Sequence, residues 1–351
     1  MKRRILYVGP LVSGQTSLYR YRALQRLQQD VIPFDNTKYG FKWGKLNWLA
    51  ARFPMGPIVV RINTDLVTSV QNNKPDVVWF DKPTQFTPDT IRRVKESGAQ
   101  TFCYNQDNPF GPRKDGCWHQ FYRMYCMLDL HCLFRNADIP RYEGWGLNYI
   151  KIQLSYDPRE HFPPPAGWSD AARTREVSYI GSPYEDRPQF LLDLAKKYNL
   201  PITISGPGWE KVLNKDLRRR YTLGGMLKDA EYRENIWKSK INLSFITREN
   251  EEDVAHKAFE IAACGGFLLA LRSPGHEACF QEGKEAEYFS SLEECAAKIR
   301  YYLDHPVERE KIAGRGYERA ISSGYDNDTQ LQRVLDRLEE FRTTRGKATG
   351  T

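Results

Sequence analysis

Three residues able to do chemistry lie within five positions of one another in HKAFEIAACGGFLLA, residues 256–270: His256, Lys257 and Glu260. Spacings of three and four residues share one helical face, so the segment offers an imidazole, an ammonium and a carboxylate side by side. Glu260 stands between Phe259 and Ile261, and Gly265 and Gly266 lead on to the apolar run FLLAL. A carboxylate on a helix bordering a buried strand needs a partner, and ribose hydroxyls would be one. His256 can equally cap the helix or fill space.

Similar chemistry recurs where other strands should end. After VSYIG comes SPYEDR, with Gly181 for a close backbone turn and Arg187 opening the next helix; after ITIS comes GPGW, with Gly206, Gly208 and Trp209 at the rim of the loop. Glycine, a cation and a helix N-terminus together suit a diphosphate, because unpaired N–H groups and the helix dipole favour negative charge. Ordinary turn glycines and a packing tryptophan would explain the same letters. No G-x-G-x-x-G follows the first strand and no P-loop motif is present, which counts against a dinucleotide fold of the usual kind and excludes a P-loop kinase. Asp107, in YNQDNPF, sits at a strand end where a carboxylate can take a proton from a hydroxyl; an Asx turn is the bland alternative, and His119 is a second candidate base. No metal is expected. The D-x-D at Asp326–Asp328 follows the last strand, and Cys117, His119, Cys126, His131 and Cys132 match no regular zinc spacing.

These residues need elements to hold them. ILYVG, VIPFD, DVVWFD, TFCYNQ and LHCLF are short apolar runs separated by helical patterns over residues 15–29 and 87–99, which predicts a parallel sheet covered on both faces. YIKIQLSYDPREHFPPPAGWSDAARTRE interrupts this rhythm and reads as a crossing. VSYIG, ITISG, INLSFI and FLLAL then restart it. The expectation is an α/β chain of two Rossmann-like, doubly wound domains facing a central cleft: residues 1–155, residues 156–322, and a C-terminal helix and tail over 323–351 that packs back. Ligands should bind beyond the carboxyl ends of the strands.

Composition narrows the class. Of 351 residues, 40% are hydrophobic and 13% aromatic, which is globular rather than disordered. The first apolar run is too short for a signal peptide and no run reaches the ~20 residues of a membrane span. Seven cysteines form no framework, so reduced thiols and a cytoplasmic location are expected. Residues 1–150 carry 21 Lys/Arg against 12 Asp/Glu, whereas residues 151–351 carry 31 against 32. A basic half beside a neutral one fits a polyanionic partner or a solvated basic face.

RENEEDVAHKAFEIAACGGFLLALRSPGHEACFQEGKEAEYFSSLEECAAKIRYYL resembles the donor-binding half of the CgeB-type, spore-maturation-like glycosyltransferases, a group with the GT-B fold. SYIGSPYEDR, ISGPGWE and YNQDNPF resemble further blocks of that group, so the likeness is close over residues 250–305 and loose over most of the chain. The resemblance implies a nucleotide-diphosphate sugar, a UDP-sugar first of all, in the C-terminal domain and an acceptor in the N-terminal one, with no further cofactor. By the same analogy Glu260 holds the ribose and Lys257 and Arg187 meet the diphosphate. Glu252, eight residues before Glu260, matches the E-x7-E spacing of many retaining GT-B enzymes, although Glu249 and Glu251 crowd beside it. Where relatives often show a His-Thr pair, this chain reads SGYDND.

The acceptor reading rests on TKYGFKWGKLNWLAARFP, residues 37–54. Lys38, Lys42 and Lys45 alternate there with aromatics including Trp43 and Trp48. Cations neutralise phosphates while aromatic faces stack on bases, so a hydroxylated base in DNA is the leading expected acceptor. The alternatives are a cell-surface or spore polymer, a small molecule, and a loop packed on its own aromatics. A non-catalytic nucleotide-sugar or nucleic-acid binder and a two-domain epimerase also fit the letters.

Overall fold

The computed structural model describes residues 2–40, 53, 55–113 and 116–348. The chain divides into two compact units: Met1–Gln153 with Glu249–Glu251 and Asn327–Thr351, and Leu154–Arg248 with Glu252–Asp326.

Unit 1 is built on six parallel strands, β1 (Arg4–Gly9), β2 (Asp30–Asp35), β3 (Val77–Asp81), β4 (Gln100–Tyr104), β5 (Leu130–Leu133) and β6 (Tyr149–Lys151), in the order β2-β1-β3-β4-β5-β6. Every residue of β3, β4 and β5 is buried, as expected of strands covered on both faces. Leu6, Val8, Ile62, Leu66, Phe80, Ile91 and Phe121 fill one side of the sheet. Thr87 starts the Pro88–Glu96 helix by accepting a hydrogen bond from the Thr90 amide. β6 lies inside the stretch that reads as a crossing. It is a three-residue strand with half-buried side chains, and so carries no buried run to announce it.

The Asn327–Ala348 helix belongs to unit 1. Leu331, Val334 and Leu338 are fully buried at the spacing of one helical face. Arg26 Nε donates to both Asp328 carboxylate oxygens at 2.9 and 3.1 Å, and the Leu338 carbonyl accepts from Gln100 Nε2 at 3.4 Å.

Unit 2 has five parallel strands, β7 (Arg175–Ile180), β8 (Ile202–Ser205), β9 (Ser239–Ser244), β10 (Leu268–Leu271) and β11 (Glu287–Phe289), ordered β11-β10-β9-β7-β8. Val177, Ile204, Ile241, Leu243, Leu269 and Phe289 form its core with Leu191, Leu194 and Ile299 from flanking helices. Asn214, Ser273 and Ser291 cap the helices that follow them with their side chains. All seven cysteines are unbonded. Among the described residues, no helix is long and apolar enough to cross a membrane.

Truncating the last helix's apolar stripe should therefore destabilise the unit built on the first strands. Leu331→Ala is expected to cost about 3 kcal/mol, read as a lowered urea midpoint with an unchanged slope.

Candidate functional site

A parallel sheet collects all its carboxyl ends on one edge, and each returning helix starts there. In unit 2 the strand order reverses about β7, so the ends of β7 and β9 flank the switch point. Arg187, the first residue of the Arg187–Lys196 helix, is buried at that place. Its Nη2 donates to the Ile246 carbonyl at 3.0 Å and to Thr247 Oγ1 at 2.9 Å, and Nη1 donates to the Tyr179 hydroxyl at 3.1 Å. The Nε–H is buried with no partner.

Three other expected residues meet at one carbonyl. Gly181 N donates to Ser205 O at 2.8 Å, and the Gly181 carbonyl accepts from Trp209 Nε1 at 2.8 Å. Gly206 has φ +134°, and a Cβ there would lie 2.3 Å from the same Gly181 oxygen, so this approach requires glycine. Trp209 is only 2% exposed: it pins the loop from beneath instead of standing at its rim. A further loop joins them unannounced. Leu223 N donates to Ile204 O at 2.9 Å and Gly206 N to Gly225 O at 3.0 Å, which lays residues 222–226 along the end of β8. The Gly224–Gly225 pair was its only signal in the sequence.

The His256–Ala263 helix brings His256, Lys257 and Glu260 together as its spacing requires. Glu260 is buried, and its Oε2 accepts from the Tyr232 hydroxyl at 2.5 Å. Its Oε1 lies 3.7 Å from His161 Nε2 and 4.0 Å from His256 Nε2. Lys257 Nζ sits 5.5 Å from the centre of the Tyr232 ring. Burial pushes the Glu260 carboxyl up, but the His256, His161 and Lys257 charges and the Tyr232 hydrogen bond outweigh it and hold it at about 2. Burial moves His161 below the ordinary imidazole range, so at neutral pH the Glu260 carboxylate faces a neutral His161 ring. His256 Nε2 also lies 2.7 Å from the Ser155 carbonyl. Tyr232 and His161 escaped sequence reasoning, because one sits on an unremarked helix and the other in the crossing. Glu252 lies apart from Glu260's hydrogen bonds: its Oε2 accepts from the Thr247 amide at 2.7 Å, closing the loop after β9.

In unit 1, Asp107 follows β4 and forms an ion pair with Lys82, which follows β3. Lys82 has φ +54°, a conformation that costs a non-glycine residue of order 1 kcal/mol or more and recurs at functional sites. The turn carrying Asp107 is fixed from below: buried Arg135 donates to the Gln106 carbonyl at 2.6 Å and the Asp107 carbonyl at 3.1 Å, and to Asp138 Oδ2 at 2.8 Å. Asn108, not Asp107, makes the Asx turn, accepting from Phe110 N at 3.0 Å. Asn108 also meets Asn250 and Glu251, each at 2.6 Å. His119 opens a short helix and is exposed. Lys38 is exposed at the end of a 3-10 turn; Lys42, Trp43, Lys45 and Trp48 lie outside the described residues. Asp328 of the D-x-D is engaged by Arg26, and among the described residues no group of three or more His, Cys, Asp or Glu is placed to hold a metal ion.

Residues 186–336 match the family model described as glycosyl transferase-like. The HepE protein of Anabaena, solved in complex with UDP-glucose, is 14% identical with a TM-score of 0.65, over 96% of this chain and 100% of that one. Sucrose-phosphate synthase from Thermosynechococcus elongatus is 12% identical with a TM-score of 0.65, over 97% and 100%. The trehalose 6-phosphate synthase of Burkholderia multivorans is 11% identical with a TM-score of 0.64, over 98% and 100%. The chain thus has the α/β GT-B fold. No curated protein matches the sequence.

Because Glu260 ionises more readily folded than unfolded, its contribution to stability is complete above pH 4.5 and is lost as pH falls toward 2. Glu260→Gln should remove roughly 2–3 kcal/mol of that acid dependence, measured as denaturation midpoints between pH 6 and the acid limit. Gly206→Ala should cost roughly 2–3 kcal/mol at any pH, through its strained φ and its clash with Gly181.

Proposed function

We propose that the chain is a nucleotide-sugar-dependent glycosyltransferase of the CgeB type that moves a sugar from a UDP-sugar to an acceptor hydroxyl, with the donor on unit 2. The observation that carries this reading is the buried Glu260 with Tyr232 and Lys257 beside it, all three within the segment that matches the glycosyl transferase-like model. Glu260 accepts from ribose hydroxyls through Oε1, since Oε2 already serves Tyr232. Lys257, half-buried beside it, meets the diphosphate. Arg187, whose Nη groups are spent on the loops after β7 and β9, aligns the edge and offers only Nε. The glycine loops at 181 and 206–208 let a phosphate approach backbone closely. The UDP-glucose bound to HepE supports a uridine donor.

On unit 1, Asp107 takes the acceptor proton and Lys82 holds it in place. For the acceptor we propose an anionic polymer, on the strength of the basic excess in residues 1–150. A hydroxylated base in DNA is the first to test, and a cell-surface polymer is its alternative.

A thermal-shift screen against nucleoside diphosphates and nucleotide sugars tests the donor. At 100 times its dissociation constant a ligand adds about 2.7 kcal/mol, a rise of several degrees in Tm. A shift with no member of the panel sinks the proposal. Lys257→Ala should weaken the responding nucleotide about tenfold or more. Asp107→Asn should leave that affinity intact and lower kcat by roughly 10²–10⁴. Donor converted without acceptor would instead identify an epimerase, and donor binding without turnover a non-catalytic binder.

A further inference from the structure

The near-neutral charge of residues 151–351 conceals a concentrated cationic surface. Residues 207–228 hold Lys211, Lys215, Arg218, Arg219, Arg220 and Lys228 against Glu210 and Asp216. Elsewhere in unit 2 many cations are paired: Lys197 with Asp193, Lys238 with Glu234, Arg272 with Glu277 and Glu282, and Lys298 with Glu282 and Glu287. The exposed cations there without an ion pair to a described residue, among them Lys196, Lys284, Arg300, Lys311 and Arg315, are spread along the sequence. None of the six cations in 207–228 forms an ion pair with a described residue. Like charges left unneutralised over so short a stretch repel one another, so an anionic surface would relieve a cost that the folded chain carries.

The shape of the stretch says which kind of surface. Leu213, Leu217 and Tyr221, spaced by four, pack toward the unit 2 core, so Lys215 and Arg219 project from the opposite side of the Lys215–Tyr221 helix. Exposed aliphatic residues bracket that helix: Val212 at 48% before it, and Leu223 and Met226 at 52% and 49% after it. The aromatics of the stretch, Trp209 and Tyr221, are both buried, leaving no ring for a base to stack on. Aliphatic side chains among unpaired cations match the boundary between acyl chains and anionic headgroups.

We propose that residues 207–228 form a docking surface for an anionic phospholipid bilayer. It attaches the protein peripherally, with Lys215 and Arg219 against headgroup phosphates and Leu223 and Val212 entering the acyl boundary. Because residues 222–226 run along the end of β8, docking brings the glycine loop at 206–208 to the membrane. This surface does not depend on the donor or acceptor assignments.

Co-sedimentation of the full chain with vesicles tests it. Binding is expected to mixed phosphatidylcholine–phosphatidylglycerol vesicles and to be weak on phosphatidylcholine alone, and to fall as salt is raised. Lys215→Glu with Arg219→Glu should lower partitioning about 25-fold, at least roughly fivefold for each cation removed. Val212→Ser with Leu223→Ser should lower it without changing charge, and Lys197→Glu, a paired cation elsewhere, should not. A thermal midpoint equal to the parent's shows that each variant is folded; Lys215→Gln with Arg219→Gln replaces a pair that fails this check. Absent binding to mixed vesicles, equal binding to both compositions, or binding indifferent to the charge reversal overturns the proposal. So does retention of duplex DNA, but not vesicles, through Lys215 and Arg219, which would make the surface a nucleic-acid site.

Discussion

A buried guanidinium at each switch point organises both units. In unit 1, Arg20 Nε donates to Asp81 Oδ2 at 2.8 Å and the guanidinium lies 4.2 Å from the centre of the Tyr104 ring; Tyr7 donates to the same Asp81 oxygen at 2.6 Å. In unit 2, Arg187 joins Tyr179, Ile246 and Thr247. Arginine cannot shed its charge, so once buried it fixes the positions of whatever satisfies it. At both switch points those partners are strand ends and the loops that leave them. Breaking either set would leave a buried charge without its hydrogen bonds, and the loops would lose their common anchor.

The Glu260 network applies the same rule to a carboxylate. One buried group draws in a hydroxyl from the Asp229–Trp237 helix, a ring from the 154–174 connection and two side chains of its own helix. These segments share no sequence pattern; the charge gathers them. A ligand hydroxyl arriving at Oε1 would join a set of partners already in place, so little reorganisation accompanies binding. In unit 1 the geometry is comparably fixed, since Arg135 holds the backbone on which Asp107 rides. A membrane-docked enzyme would meet cell-surface polymers sooner than DNA, so the vesicle experiment also bears on which anionic acceptor to pursue.

Much of the two-sheet architecture is legible in the sequence because fully buried strands are written as unbroken apolar runs. The exceptions are β6 and β11, three residues each, too short to show a run or an alternation. Glu260 is legible as a residue in need of a partner, since a carboxylate between Phe259 and Ile261 has few harmless placements. Its partners are not, because His161 and Tyr232 reach it only through tertiary packing. Trp209 misleads for a related reason: glycines around an aromatic suggest an open loop, yet the indole N–H needed a buried acceptor and found Gly181. Lys82 carries no letter-level sign at all. Its interest lies in a backbone angle.

The Asn327–Ala348 helix packs on the unit that holds the first strands, so along the chain unit 2 is an insertion within unit 1. During synthesis the strands of the six-stranded sheet emerge before unit 2, but the surface that takes Leu331, Val334 and Leu338 stays uncovered until the Asn327–Ala348 helix has followed. The inserted unit has all its residues by Asp326 and can close before then. Domains usually mature in the order in which they are made; of these two units the one begun earlier is completed later, and its uncovered apolar surface is the stretch that a nascent-chain chaperone would most need to shield.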